Sequence, residues 1–140
     1  MTERHMTPEE REQYGRDWFE YTMTSTAPAP SSPYYKAGIA NFVFAEMWSR
    51  PGLTMKERRL ITLACVGAAD TQVPIKSHVY AAMKTGDLTY EEMQEFVLQF
   101  AVYLGWPKAS IMQATVDEQW QRIQDEGGTI QMKRPERPGA

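Results

Sequence analysis

Two histidines, one cysteine and a few arginines and acids bound the chemistry open to this 140-residue chain. His78 stands first. At helical spacing its neighbours three back and four on are Ile75 and Ala82, which puts the imidazole at the edge of an apolar stripe rather than out in water. A partly desolvated imidazole near an acid is the usual general acid or base of enzymes working near neutrality. The plain alternative is a histidine that caps the core edge and hydrogen-bonds a carbonyl. Glu46 interrupts the apolar run Phe42–Trp48. A carboxylate there must be paired, hydrogen-bonded or protonated. It is either one half of an ion pair with Arg50, one turn on, or an acid whose pKa burial raises for proton transfer. Arg50, Arg58 and Arg59 flank the Pro51-Gly52 turn. An arginine grips a carboxylate through two parallel hydrogen bonds, although Lys56-Glu57-Arg58-Arg59 also has the composition of a solvated first helical turn. Tyr103 and Trp106 flank Gly105, where they can line an apolar pocket or simply fill core.

What the chain lacks narrows the classes. Cys65 is the single cysteine, so an internal disulfide, a C-x-x-C redox pair and a thiolate-built zinc site are out. Between Ala64 and Ala68 at helical spacing, it reads as a buried, inert thiol. His5 lies in a terminal segment far from His78, so no metal site is expected. No phosphate-cradling glycine loop, serine nucleophile elbow or carboxylate-rich metal motif is present, and no cofactor is expected. Fifteen basic and 18 acidic residues give a net charge of −3, with no basic stripe for nucleic acid. The apolar runs are too short to span a bilayer. The N-terminal MTERHMTPEEREQ is charged where a secretory leader is apolar, so a cytoplasmic protein is expected.

The elements that must position these residues read as helices throughout. Thr7-x-x-Glu10, Thr54-x-x-Glu57 and Thr89-x-x-Glu92 are three capping boxes, each just before an apolar-periodic run. The first opens a helix carrying Tyr14, Trp18 and Tyr21, which ends in the Ser/Pro/Ala stretch Thr24–Pro33, a stiff linker by composition. A second helix covers about 34–49. A third runs from Thr54 to Ala69 with Leu60, Ile61, Ala64 and Ala68 inward. A fourth starts near Pro74, bears the stripe Ile75, Val79, Ala82, Met83, and stops at Gly86. The fifth presents Met93, Phe96, Val97, Phe100, Ala101 and Leu104 inward and closes at Gly105, and the sixth runs from Pro107 to about Glu126. The expected organisation is therefore all-α, a compact bundle of about six helices. An N-terminal helix and linker (1–33) can act as an arm for another subunit, a helical domain follows (34–126), and the tail (127–140) is loose. Apolar residues make up 42% and charged residues 24%, the balance of an ordinary globular domain. Phe42, Phe44, Met47 and Trp48 face different sides of one helix, which predicts a partner beyond the chain's own hairpin.

The segment Phe44-Ala45-Glu46-Met47-Trp48-Ser49-Arg50-Pro51-Gly52-Leu53, then Lys56-Glu57-Arg58-Arg59-Leu60-Ile61-Thr62-Leu63-Ala64, resembles the opening of the γ-carboxymuconolactone decarboxylase pattern. The likeness continues through His78-x-x-x-Ala82 to Gly86 and Thr89-x-Glu91-Glu92-Met93-x-Glu95. It closes at Ala101-Val102-Tyr103-x-Gly105-Trp106-Pro107-Lys108-Ala109, so that it covers roughly residues 42–112. The resemblance implies an all-helical fold, assembly as a ring-like homo-oligomer (trimer or hexamer), and cofactor-free decarboxylation of a small unsaturated carboxylated lactone in aromatic catabolism. It further implies His78 in proton transfer, Arg50 and Arg58 as carboxylate holders, and Glu46 orienting or sharing the proton. The alkylhydroperoxidase-D-like branch carries a C-x-x-C before the matching histidine. Here Gln72–Pro74 and Ile75 stand in its place, so peroxidase and disulfide-reductase chemistry are not implied. Two other readings remain: the same fold used for hydrolysis, isomerisation or dehydration, and a non-catalytic oligomeric binding protein in which His78 is structural.

Overall fold

A computed structural model describes residues 4–140, so the first three residues of the charged N-terminal segment lie outside the described part. Among these residues there are six helices and no strand: α1 (Pro8–Met23), α2 (Tyr34–Met47), α3 (Met55–Ala68), α4 (Gln72–Lys84), α5 (Tyr90–Leu104) and α6 (Trp106–Asp125). The all-α expectation holds.

Local chemistry accounts for several of the helix ends. All three capping boxes form in both directions; at α1, Glu10 N–H donates to Thr7 Oγ1 at 3.1 Å while Thr7 N–H donates to Glu10 Oε2 at 3.0 Å. Each cap satisfies backbone donors that a helix start would otherwise leave open, worth about 1 kcal/mol. α4 begins two residues before Pro74. Its first-turn N–H groups have no intrahelical acceptor in any case, so proline in that turn costs no bond. Gly86 (φ +76°) and Gly105 (φ +100°) supply the left-handed residues that end α4 and α5.

The chain divides into two compact units. The first holds the residues up to Gly52 together with Met132–Ala140. Here α1 lies against α2 of its own chain, with Trp18 only 1% exposed and the Phe19 and Phe44 rings 4.9 Å apart, edge to face. The approach is close because Gly15 has no side chain: a Cβ there would stand 1.8 Å from the Ala40 carbonyl oxygen. α2 is wound wide, as a π-type helix, and its last turn closes with Trp48 N–H donating to the Val43 carbonyl five residues back. That winding buries Ala40, Phe44, Ala45 and Trp48 and leaves Phe42, Glu46 and Met47 on the outer stripe. The Arg134 guanidinium of the tail sits 5.1 Å from the Trp18 ring centroid.

The second unit, Leu53–Gln131, holds α3 to α6 around a core that includes Leu63, Val79, Met83, Met93, Phe100 and Met112. The α4 stripe is buried as its spacing predicts. α3 meets the expectation in part: Leu60 and Ala64 pack against the core. Its most buried face is instead Arg59, Leu63 and Gly67 with Arg58 beside it, and Ile61 is 55% exposed. Gly67 decides the rotation: a Cβ there would meet Met112 and Phe100 side-chain atoms at under 3.0 Å, so only this bare face fits against α5 and α6.

Candidate functional site

His78 sits on α4 one position before the buried Val79, so the core stripe fixes the backbone while the imidazole occupies its edge. The ring is partly buried, with Nδ1 shielded from solvent. Loss of hydration first, and the positive charge of Arg59 second, pull its pKa from 6.5 down to about 4. The imidazole is therefore neutral at pH 7.

Arg59 is the residue whose importance the sequence conceals. The sequence leaves it either a carboxylate-binding arginine or part of a solvated first turn; it is 1% exposed, with its Nε 3.2 Å from Asp87 Oδ2 just beyond the end of α4. A guanidinium removed from water is costly unless charge and hydrogen bonds compensate it. Arg58, its neighbour on α3, is buried as well. The signal available in the sequence was the i, i+4, i+8 set Arg59, Leu63, Gly67, which competes with the set headed by Leu60. His78 and Arg59 are near enough for the arginine's charge to act on the imidazole, and a neutral imidazole and a guanidinium can each donate a hydrogen bond to an oxygen that gains charge.

Tyr103 and Trp106 lie on either side of Gly105, and Tyr103 is 77% exposed. Tyr103 lines a groove of about 400 Å³ together with Cys65, Ala68, Phe96 and Phe100. Cys65 is therefore exposed on the groove wall, not buried as its neighbours suggested; the rotation that turns Gly67 inward turns position 65 outward.

Glu46 and Arg50 belong to the first unit, where they line one cleft of about 680 Å³. Of the two readings of Glu46, an ion-paired carboxylate or a buried acid, the buried acid does not hold. It lies on the outer stripe of α2, and its Oε1 accepts from the Arg11 guanidinium of α1, 35 residues away in sequence. The same cleft is lined by Tyr14 and by Arg137 from the tail. The structure thus groups Glu46 with Arg50 in one unit, and His78 with Arg58 and Arg59 in the other. Among the described residues no cluster of three or more His, Cys, Asp or Glu side chains could hold a metal ion, and no helix is long and apolar enough to cross a membrane.

Comparison with known proteins adds three findings. A family model described as the carboxymuconolactone decarboxylase family matches residues 33–117, which include Glu46, Arg50, Arg58, Arg59, His78, Tyr103 and Trp106. A 4-carboxymuconolactone decarboxylase of Acinetobacter baylyi is 31% identical over 80 residues, 57% of this chain and 59% of that enzyme. A nitrosuccinic acid decarboxylase of Metarhizium robertsii is 32% identical over 109 residues, 76% of this chain and 73% of that enzyme.

Proposed function

The chain belongs to the carboxymuconolactone decarboxylase family, and on that premise we propose that it is a carboxy-lyase acting, without a cofactor, on a small carboxylated substrate that carries its own electron acceptor. The two substrates named in its relatives, a carboxymuconolactone and nitrosuccinic acid, share this chemistry: each joins carboxylates to a lactone or nitro group able to take up an electron pair. The observation that carries the reading is the neutral, desolvated His78 beside the buried Arg59, within the stretch that matches the family.

The step balances simply. The bond between the substrate carbon and its carboxylate breaks, CO2 leaves, and the electron pair stays on the carbon and spreads into the acceptor. A proton then joins that carbon. His78, neutral at rest, donates its N–H to the oxygen on which the charge collects. That growing charge raises the proton affinity of the ring, so His78 can relay the proton from water to carbon. Arg58 and Arg50 are the carboxylate holders in this reading, and Glu46 orients or shares the proton, with Tyr103 and Trp106 offering apolar surface to the substrate. The protein works as a cytoplasmic homo-oligomer, trimer or hexamer; exposed Phe42, Val102 and Trp106 are the kind of surface that assembly covers.

The direct test is incubation with γ-carboxymuconolactone and, separately, nitrosuccinate, following CO2 release and lactone absorbance. His78→Asn should lower kcat at least a hundredfold with native far-UV circular dichroism. No CO2 from either substrate, or full turnover by the variant, would overturn the proposal.

A further inference from the structure

Asp87, in the turn after α4, binds the same arginine whose charge acts on His78. Its Oδ2 lies 3.2 Å from Arg59 Nε, and the arginine side chain is 0% exposed while that of Asp87 is 26% exposed. We propose that Asp87 is a positioning residue for the reaction: it fixes the Arg59 guanidinium beside the imidazole, so that a positive charge stands ready where negative charge collects as CO2 leaves. The inference rests on the reading of His78 as the proton-transferring residue and deepens it, by giving the site an arginine held in place from His78's own helix.

His78 and Asp87 belong to one continuous piece of backbone. His78 lies midway along α4, and Asp87 stands just past its last residue, Lys84. The turn between is pinned by hydrogen bonds: Gly86 N–H donates to the Met83 carbonyl at 3.0 Å, Asp87 N–H to Thr85 Oγ1 at 3.4 Å and Leu88 N–H to the Ala82 carbonyl at 3.0 Å. Leu88 itself is buried in the core, so the turn cannot lift away cheaply. The carboxylate therefore keeps a set place relative to the imidazole. Burying a guanidinium is costly, an ion pair offsets part of that cost, and a fixed carboxylate also selects where the guanidinium rests. Without Asp87 the guanidinium can turn toward water and away from the ring. α3 brings the charge that acts on the ring, Arg59, with Arg58 beside it. The charges of α6 engage other positions of α4. Lys76 lies 3.8 Å from Glu118, Lys84 lies 3.7 Å from Glu126, and the Tyr80 hydroxyl donates to Glu126 at 2.7 Å with Arg122 over its ring. Positions 76 and 80 stand roughly half a turn around the helix from 78, on its opposite side.

NMR titration of the imidazole signals in the substrate-free full chain tests this apart from turnover. The chain has two histidines, and the His78→Asn variant identifies the signal of His78. Arg59 is the lesser cause of the fall of the His78 pKa from 6.5 to about 4, so Asp87→Ala should raise that pKa by about half a pH unit to one pH unit. Asp87→Ser, which keeps a polar turn residue but ends short of the guanidinium, should do the same and serves where Asp87→Ala fails to fold. Arg59→Met should raise the pKa at least as far. Adding Asp87→Ala to Arg59→Met should then move it by less than about 0.2 pH unit, because Asp87 acts through that arginine. Lys76→Gln, which removes an ion pair on the other side of α4, should leave it unchanged. Turnover supplies a second measure: Asp87→Ala should lower kcat about tenfold with KM within about twofold, and Asp87→Glu should recover most of the loss. A residue that only staples α3 to the turn would lower Tm and leave the His78 titration in place. An unchanged titration in Asp87→Ala, an equal change in Lys76→Gln, or a full change in the Arg59→Met background overturns the proposal. A protein that shows the expected titrations but decarboxylates neither substrate overturns only the reaction. One whose turnover needs His78, but whose Asp87→Ala variant titrates as the wild type does, overturns only the role of Asp87.

Discussion

Acidification should cost the folded protein about 3 kcal/mol through His78 alone. In the unfolded chain the imidazole takes its proton near pH 6.5; in the fold, burial and the Arg59 charge hold it at about 4. Between those values the unfolded chain binds more protons, so stability is full above about pH 6.5 and falls as the pH drops through the folded value. Each tenfold difference in proton affinity is about 1.4 kcal/mol, and the gap between pH 6.5 and 4 therefore amounts to roughly 3 kcal/mol. Residual solvent contact of the partly buried ring makes that an upper value. Carboxylates titrate in the same range, so the measurement must be a difference. Urea unfolding followed by far-UV circular dichroism at pH 7 and pH 4, for the wild type and for His78→Asn, isolates the histidine: the wild type should lose about 2–3 kcal/mol more than the variant. Equal losses within about 0.5 kcal/mol would show that His78 is hydrated in the fold, and the electrostatic basis for its neutral state would fall.

The same depressed pKa shapes catalysis. The acid limb of kcat/KM should fall near pH 4, and that of kcat at a higher pH, because bound carboxylate favours the imidazolium; coincident limbs near 6.5 would contradict it. Gly15→Ala should destabilise the protein by about 2–4 kcal/mol in thermal melts, as α1 and α2 must separate, whereas Gly38→Ala, with open space at its Cβ, should be neutral or slightly stabilising. Cys65→Ser should change stability by less than about 0.5 kcal/mol and leave turnover intact, since the thiol is exposed; a large loss of either would return it to the core or the site. Light scattering coupled to size exclusion should give a mass three or six times that of one chain, and the mass of a single chain at micromolar concentration would refute assembly.

What the sequence determined by itself is what acts over one helical turn. A threonine side chain and a glutamate three residues on satisfy each other's backbone donors whatever lies beyond, and all three capping boxes were therefore legible. Glycine at Gly86 and Gly105 ends a helix by its own conformational freedom, and the single apolar stripe of α4 allows only one face to turn inward, which placed His78 at the core edge. Tertiary structure decided the rest where two local answers were nearly equal. α3 has apolar residues on two faces; the bare Cα of Gly67 against Phe100 and Met112 selected one, drawing Arg59 inward and turning Ile61 and Cys65 out. Glu46 has a candidate partner one turn away in Arg50, but the close approach of α1 to α2 at Gly15 also brings it Arg11, which no local spacing could show. A charge pairs with what the folded chain brings near, and contacts spanning tens of residues leave no periodic mark in the sequence.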